Sequence, residues 1–184
     1  MNHDCRPNVH HHFTVGTLTH HVYALRTIYP GEELTISYIN GAQPRAARQA
    51  HIHGAWGFRC ECSACSRAER DSAESDARVA QITALHTVLE DYGADSNASP
   101  EMAEELVQLY ERERLEAPMA IAYGLAAVEY AGVGDEHGAM RNARLAIEAG
   151  LLFAGPEYVE ASGMTEMLKD PKSHWSWMWR ARNR

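Results

Sequence analysis

The chain has 184 residues, 45% of them hydrophobic, enough for one ordinary domain or two small ones. No run of about 18 apolar residues is present, which excludes a membrane-spanning helix, and no charged start leads into an apolar secretory stretch. The net charge of −8 is uneven, because residues 1–70 hold 7 Arg/Lys against 5 Asp/Glu while residues 71–184 hold 10 against 20. This step predicts two units of different chemistry, and the acidic one is unsuited to gripping a phosphate backbone.

In chain order, Val9 to Val15 is rich in β-branched and aromatic residues and predicts a strand. His21 to Ile28 alternates loosely and predicts a second. Pro30-Gly31 supplies a turn, and Leu34 to Tyr38 predicts a third short strand. Residues 39–70 read as loop and short helix around a cysteine cluster. After Asp71 the hydrophobic period lengthens to about 3.6. Ala77, Ile82, Leu85, Val88 and Leu89 place one helix up to Tyr92-Gly93. Ser99-Pro100 caps a second, running through Leu106, Leu109 and Tyr110 to about Leu115. Pro118 opens a third that ends near Gly132, Asp135 a fourth that ends at Gly150, and Pro156 a fifth. The third and fourth are rich in alanine (Ala126, Ala127, Ala139, Ala143, Ala146), which lets antiparallel helices approach closely in the manner of a tetratricopeptide hairpin.

The four cysteines are Cys5, Cys60, Cys62 and Cys65. A disulfide between Cys60 and Cys62 would be strained, whereas thiolates in a tight turn converge easily on one ion. Zinc favours such a closed thiolate set, and Cys5 is the only other thiol available as a fourth ligand. The alternatives are four unrelated thiols or a regulatory redox cluster. Such cysteine usage fits a reducing compartment, so nucleus or cytoplasm is expected.

Three segments carry a family resemblance. Asn2-His-Asp-Cys-Arg-Pro-Asn8 resembles the asparagine-histidine signature of SET-domain protein-lysine methyltransferases. Gly31-Glu-Glu-Leu-Thr-Ile-Ser-Tyr38 resembles their second signature, and Trp56-Gly-Phe-Arg-Cys60-Glu-Cys62-Ser-Ala-Cys65 their post-SET zinc segment. The helical remainder, closing on Asp170 to Trp177, resembles the C-terminal region of the SET-and-MYND group, especially its fungal members. The resemblance implies an α+β chain divided at 1–40 (the C-terminal half of a SET domain), 41–70 (the post-SET segment) and 71–184 (a tetratricopeptide-like helical domain). It implies zinc on Cys5, Cys60, Cys62 and Cys65, and S-adenosylmethionine as cofactor, contacted by Asn2, His3 and Phe58. It makes Tyr38 the candidate catalytic residue, lining a dry channel where a neutral lysine amine attacks. Arg26 and Glu33 are expected to be structural.

The same resemblance implies a substantial N-terminal SET half ahead of Asn2. Residues 1–184 alone are therefore expected to bind S-adenosylmethionine poorly and to transfer little methyl. The implied partner is a protein substrate with a target lysine, such as a histone-like tail, with no direct nucleic-acid contact and no membrane involved. The other reading is a non-catalytic, zinc-stapled scaffold that displays a helical-repeat surface. Elsewhere, His10 and His12 share a strand face that excludes His11, too few ligands for a second metal. Trp175, Trp177 and Trp179 are expected to pack, and Arg180, Arg182 and Arg184 form a short basic tail.

Overall fold

The computed structural model describes residues 1–93 and 95–182. Four short strands precede a run of helices, giving a mixed α+β chain. β1 (Asn2–His3) pairs in parallel with β4 (Thr35–Ile36), and β2 (Val9–Thr14) pairs antiparallel with β3 (Thr19–Ala24). The chain thus holds two two-stranded pieces rather than one three-stranded sheet.

The expected third strand shrinks to Thr35–Ile36 because side chains take over the backbone groups around it. The Thr35 N–H donates to Asn8 Oδ1 at 2.9 Å, and the Tyr38 N–H to His3 Nδ1 at 3.1 Å. β3 likewise stops short of Ile28, because Arg26 turns to pair with Glu32 and the Glu32 N–H closes a turn on the Tyr29 carbonyl at 3.0 Å.

The 39–70 stretch is more regular than its composition indicates. α1 (Arg45–Trp56) follows Pro44 and ends at Gly57, whose φ of 73° is the left-handed conformation that glycine adopts freely. Arg48 and Ile52, one turn apart, are its buried residues.

The helical part comprises α2 (Glu69–Leu89), α3 (Pro100–Glu113), α4 (Met119–Val133), α5 (Glu136–Phe153), α6 (Pro156–Ala161), α7 (Met164–Lys169) and α8 (Trp179–Arg182). Two of them, α3 and α5, start on side-chain caps: Ser99 Oγ accepts from the Met102 N–H and Asp135 Oδ1 from the Gly138 N–H. α4 is apolar nearly all round and lies between two cores. Ala122, Leu125 and Ala126 join Ile82, Leu89, Leu106 and Leu109 on one side, while Ala127, Val128 and Ala131 meet Ala139, Ala143 and Met167 on the other. The α4–α5 approach is close enough that a side-chain carbon at Gly138 would overlap the Tyr130 ring.

The C-terminal segment departs from its expected character. Arg180 is buried and pairs with the buried Glu129 at 2.6 Å, and its guanidinium also reaches the Asp91 carbonyl. Burial of an arginine requires such a partner, so this residue fastens the end of the chain instead of forming a basic tail. Arg182 is exposed, and Arg184 lies outside the described residues. Trp175 packs edge-on against Tyr92 but stays 56% exposed.

A second ion pair joins the strand region to the helices. Arg6 and Glu113 are both buried, 2.9 Å apart. Arg6 also donates to the carbonyls of Cys5, Gly41 and Glu113, and Glu113 accepts from Ser75 Oγ and Arg78 Nε, each at 2.7 Å. Burial disfavours the Glu113 charge, but these donors outweigh it and hold the carboxyl below its ordinary range.

Candidate metal centre

The Cys60–Cys65 turn is local in origin: the N–H groups of Cys65 and Ser66 both donate to the Cys62 carbonyl at 2.9 Å, which brings three thiols to one side. Gln49 of α1 clamps this turn from below. Its amide donates to the Cys60 carbonyl at 2.7 Å and accepts from the Cys60 N–H at 3.1 Å. Cys5 arrives from the N-terminal segment. The ligand atoms of Cys5, Cys60, Cys62 and Cys65 all lie within 4.8 Å of one another, with Cys5 and Cys65 sulfurs 3.6 Å apart. Four thiolates at about 2.3 Å from one tetrahedral ion lie about 3.8 Å apart. The four sulfurs are therefore positioned to hold one metal ion.

The thiols compete for protons in a way that a cation would resolve. Hydrogen bonds from Cys5 and Cys65 hold Cys62 far below its ordinary pKa, and the same contacts with Cys62 and Cys65 push Cys5 far up. Burial pushes Cys60 up to about 12. A central divalent ion displaces those protons and turns each sulfur into a ligand. Four thiolates outweigh a divalent charge, and the buried guanidinium of Arg48 supplies compensation. Burial works against that charge, but the sulfurs of Cys5 and Cys65 outweigh it.

His3 connects this centre to the second signature. The Tyr38 backbone N–H can only donate, so His3 Nδ1 is the acceptor and Nε2 carries the proton. Nε2–H then points at Cys5 Sγ, 3.4 Å away. Burial lowers the His3 pKa, which keeps the ring in this neutral form. An imidazole donating to a metal-bound thiolate orients the ligand and tunes its charge. Replacing His3 with Ala is expected to weaken metal affinity about 10–100-fold, read by competition with a chromophoric chelator; unchanged affinity would show that the contact is incidental.

The other sequence-predicted residues gather around His3. Tyr38 lies 5.2 Å from the His3 ring and Phe58 6.4 Å, measured between centroids. Phe58 is 38% exposed. The Tyr38 hydroxyl donates to the Met1 carbonyl at 2.7 Å, and the Asn2 amide donates to Glu33 at 2.6 Å. Sequence reading missed Trp56, whose exposed ring stands 5.3 Å from Tyr38 and extends this aromatic surface. It also missed Arg48, Gln49 and Glu113. Arg48 and Ile52 at helical spacing were the available signal for an inward face on α1, and nothing local marks Glu113.

The SET domain family model matches residues 1–39. The SET match ends at Ile39, one residue beyond Tyr38. The histone-lysine N-methyltransferase set5 of Schizosaccharomyces pombe is 40% identical over 83 residues, 45% of this chain and 26% of that protein. A SET and MYND domain-containing protein of Dictyostelium discoideum is 40% identical over 65 residues, 35% of this chain and 19% of that protein. The N-lysine methyltransferase SMYD2 of Homo sapiens is 38% identical over 78 residues, 42% of this chain and 18% of that protein. The chain thus spans about a quarter or less of the length of the curated relatives it matches. It resembles the C-terminal part of a SET-and-MYND-type lysine methyltransferase.

Proposed function

We propose that residues 1–184 supply the C-terminal part of an S-adenosylmethionine-dependent protein-lysine methyltransferase, divided as 1–40 (SET), 41–70 (post-SET) and 71–184 (tetratricopeptide-like). The observation that carries this reading is the His3 ring, which ties a cysteine of the metal centre to the backbone of Tyr38. Zinc is the ion that the donor set fits best, since a closed shell of four thiolates is its structural preference. Its work is positional, because no open coordination place is left for substrate.

S-adenosylmethionine, when bound, supplies an electrophilic methyl group. Phe58 offers a ring for the adenine, and Asn2 and His3 offer amide and backbone groups beside it. The Tyr38 hydroxyl, whose proton goes to the Met1 carbonyl, keeps a lone pair with which to orient an incoming amine without adding a charge. The exposed Trp56 ring extends the same side beside Tyr38. The partner is then a protein bearing a lysine, and a basic, histone-like segment suits the acidic helical part. A nuclear or cytoplasmic setting agrees with free thiols that hold metal.

Titration of the zinc-loaded chain with S-adenosylmethionine, followed by NMR, tests this directly. Shifts confined to Asn2, His3, Tyr38, Trp56 and Phe58 are expected, at weak affinity and without measurable methyl transfer by residues 1–184 alone. Shifts elsewhere, or none at millimolar ligand, would count against the reading. One observation favours a scaffold role alongside it. A cleft of about 350 Å³ on the helical part is lined by Tyr92, Ile121, Leu125, Tyr158 and Trp175, a surface suited to an apolar peptide.

A further inference from the structure

Five histidines crowd onto the β2–β3 hairpin, and neither the metal centre nor the aromatic surface uses them. The register separates them by face, since His12 lies opposite His21 and Phe13 opposite His20. On one face, His10 stacks on Phe153 at 4.9 Å and His12 stacks on His21 at 4.9 Å, with Gly155 packed over the His12 ring. Those rings form the bed on which the end of α5 rests. On the other face, His11 and His20 are diagonal neighbours. His11 Nδ1 and His20 Nε2 are hydrogen-bonded 2.7 Å apart at the surface, with the rings nearly perpendicular.

The expectation of no second metal weighed one strand alone, whereas the hairpin register brings His20 of β3 beside His11 of β2; we infer that His11 and His20 form a two-imidazole site for a divalent transition ion of tetragonal preference, copper(II) or nickel(II), whose remaining places are filled by water. Two imidazole nitrogens at about 2.0–2.1 Å from one ion in adjacent tetragonal positions lie about 2.9 Å apart, against about 3.4 Å in a tetrahedron. The hydrogen bond already holds the two nitrogens within a few tenths of an ångström of the tetragonal value, and an ion would take the place of the proton they share, releasing it or moving it to the other ring nitrogen. Both rings sit on a paired hairpin, which holds their backbones in register while the exposed His20 side chain is free to open by that amount. The strands therefore supply the chelate, and the outward coordination places remain for water or for a donor from another molecule. Burial and the neighbouring His20 lower the His11 pKa, so a lone pair is available to metal at neutral pH. This site shares no residue with the cysteine centre.

The test is a titration of zinc-loaded protein with Ni²⁺ alone, followed by paramagnetic broadening of histidine ring signals in NMR. The first equivalent is expected to broaden His11 and His20 most strongly, ahead of His12 and His21 on the opposite face. His20→Ala should weaken Ni²⁺ binding about tenfold or more, because a single imidazole loses the chelate advantage. His53→Ala, on α1, should leave it unchanged. Broadening spread evenly over the hairpin histidines, persistence of the affinity in His20→Ala, or no broadening in the wild-type chain would each overturn the assignment. Because the His20 ring is exposed, its replacement should leave the fold and the zinc content intact, as should His53→Ala.

Discussion

Removing the metal is expected to open residues 1–66 while the helical part stays folded. The core beneath the thiols is small: apart from the cysteines, only Ile39, Ile52 and Ala64 are buried in it, with Tyr38 partly so. The neighbouring strands are short and come as separate pairs, an arrangement that is marginal in water without further support. Structural zinc sites contribute about 10–16 kcal/mol of apparent binding energy at neutral pH, comparable with the whole stability of an ordinary domain at about 5–15 kcal/mol. The α2–α5 packing rests on two apolar clusters that contain no cysteine. Limited proteolysis with and without a chelator reads the outcome: new cleavage within residues 1–66, with 69–182 protected. Equal protection in both conditions would contradict it. Acid should have the same effect as chelation. Metal must displace the Cys60 proton, held up to about 12 by burial, so binding releases protons and falling pH favours the metal-free form.

Glu113→Ala is expected to destabilise the protein by about 3–5 kcal/mol, the usual cost of leaving a buried charge without its partner. The orphaned group is Arg6, whose side chain is 1% exposed against 0% for Glu113. Three backbone carbonyls would still face the Arg6 guanidinium, but none neutralises it. Urea unfolding should show a lower midpoint at unchanged slope, and a loss below about 1 kcal/mol would contradict the account. The paired replacement Arg6→Met with Glu113→Leu should recover much of the loss, since removing both charges also removes the desolvation cost. The sign of the pH dependence follows from the same contact. The folded Glu113 pKa lies below its ordinary value of 4.5, so its contribution is complete above that value and disappears as pH falls through the folded one.

Much of this was legible in the chain itself. α3 and α5 begin where the sequence places them, because Ser99 and Asp135 satisfy N–H groups that every helix leaves open. The cysteine spacing pointed to a metal, and the four sulfurs converge. Two kinds of feature escaped. Strand ends were misjudged because Asn8 and His3 take backbone donors that propensity assigns to a sheet, and such long-range side-chain substitutions leave no local pattern. Buried charges were misjudged for a related reason. Arg180 reads as part of a basic tail, Arg48 and Glu113 lie in polar stretches with no local mark, and partners distant in sequence show that Glu113 and Arg180 are interior. Periodicity reports a residue's side of an element, not what will lie across from it.

X-ray absorption at the zinc edge of the purified chain is the most direct test. One equivalent of zinc is expected, with four sulfur neighbours at about 2.3 Å, and Cys5→Ser should replace one of them with a lighter atom. A shell that keeps four sulfurs in Cys5→Ser, or a purified chain without stoichiometric metal, would separate the Asn2–His3 segment from the centre that is held here to position it.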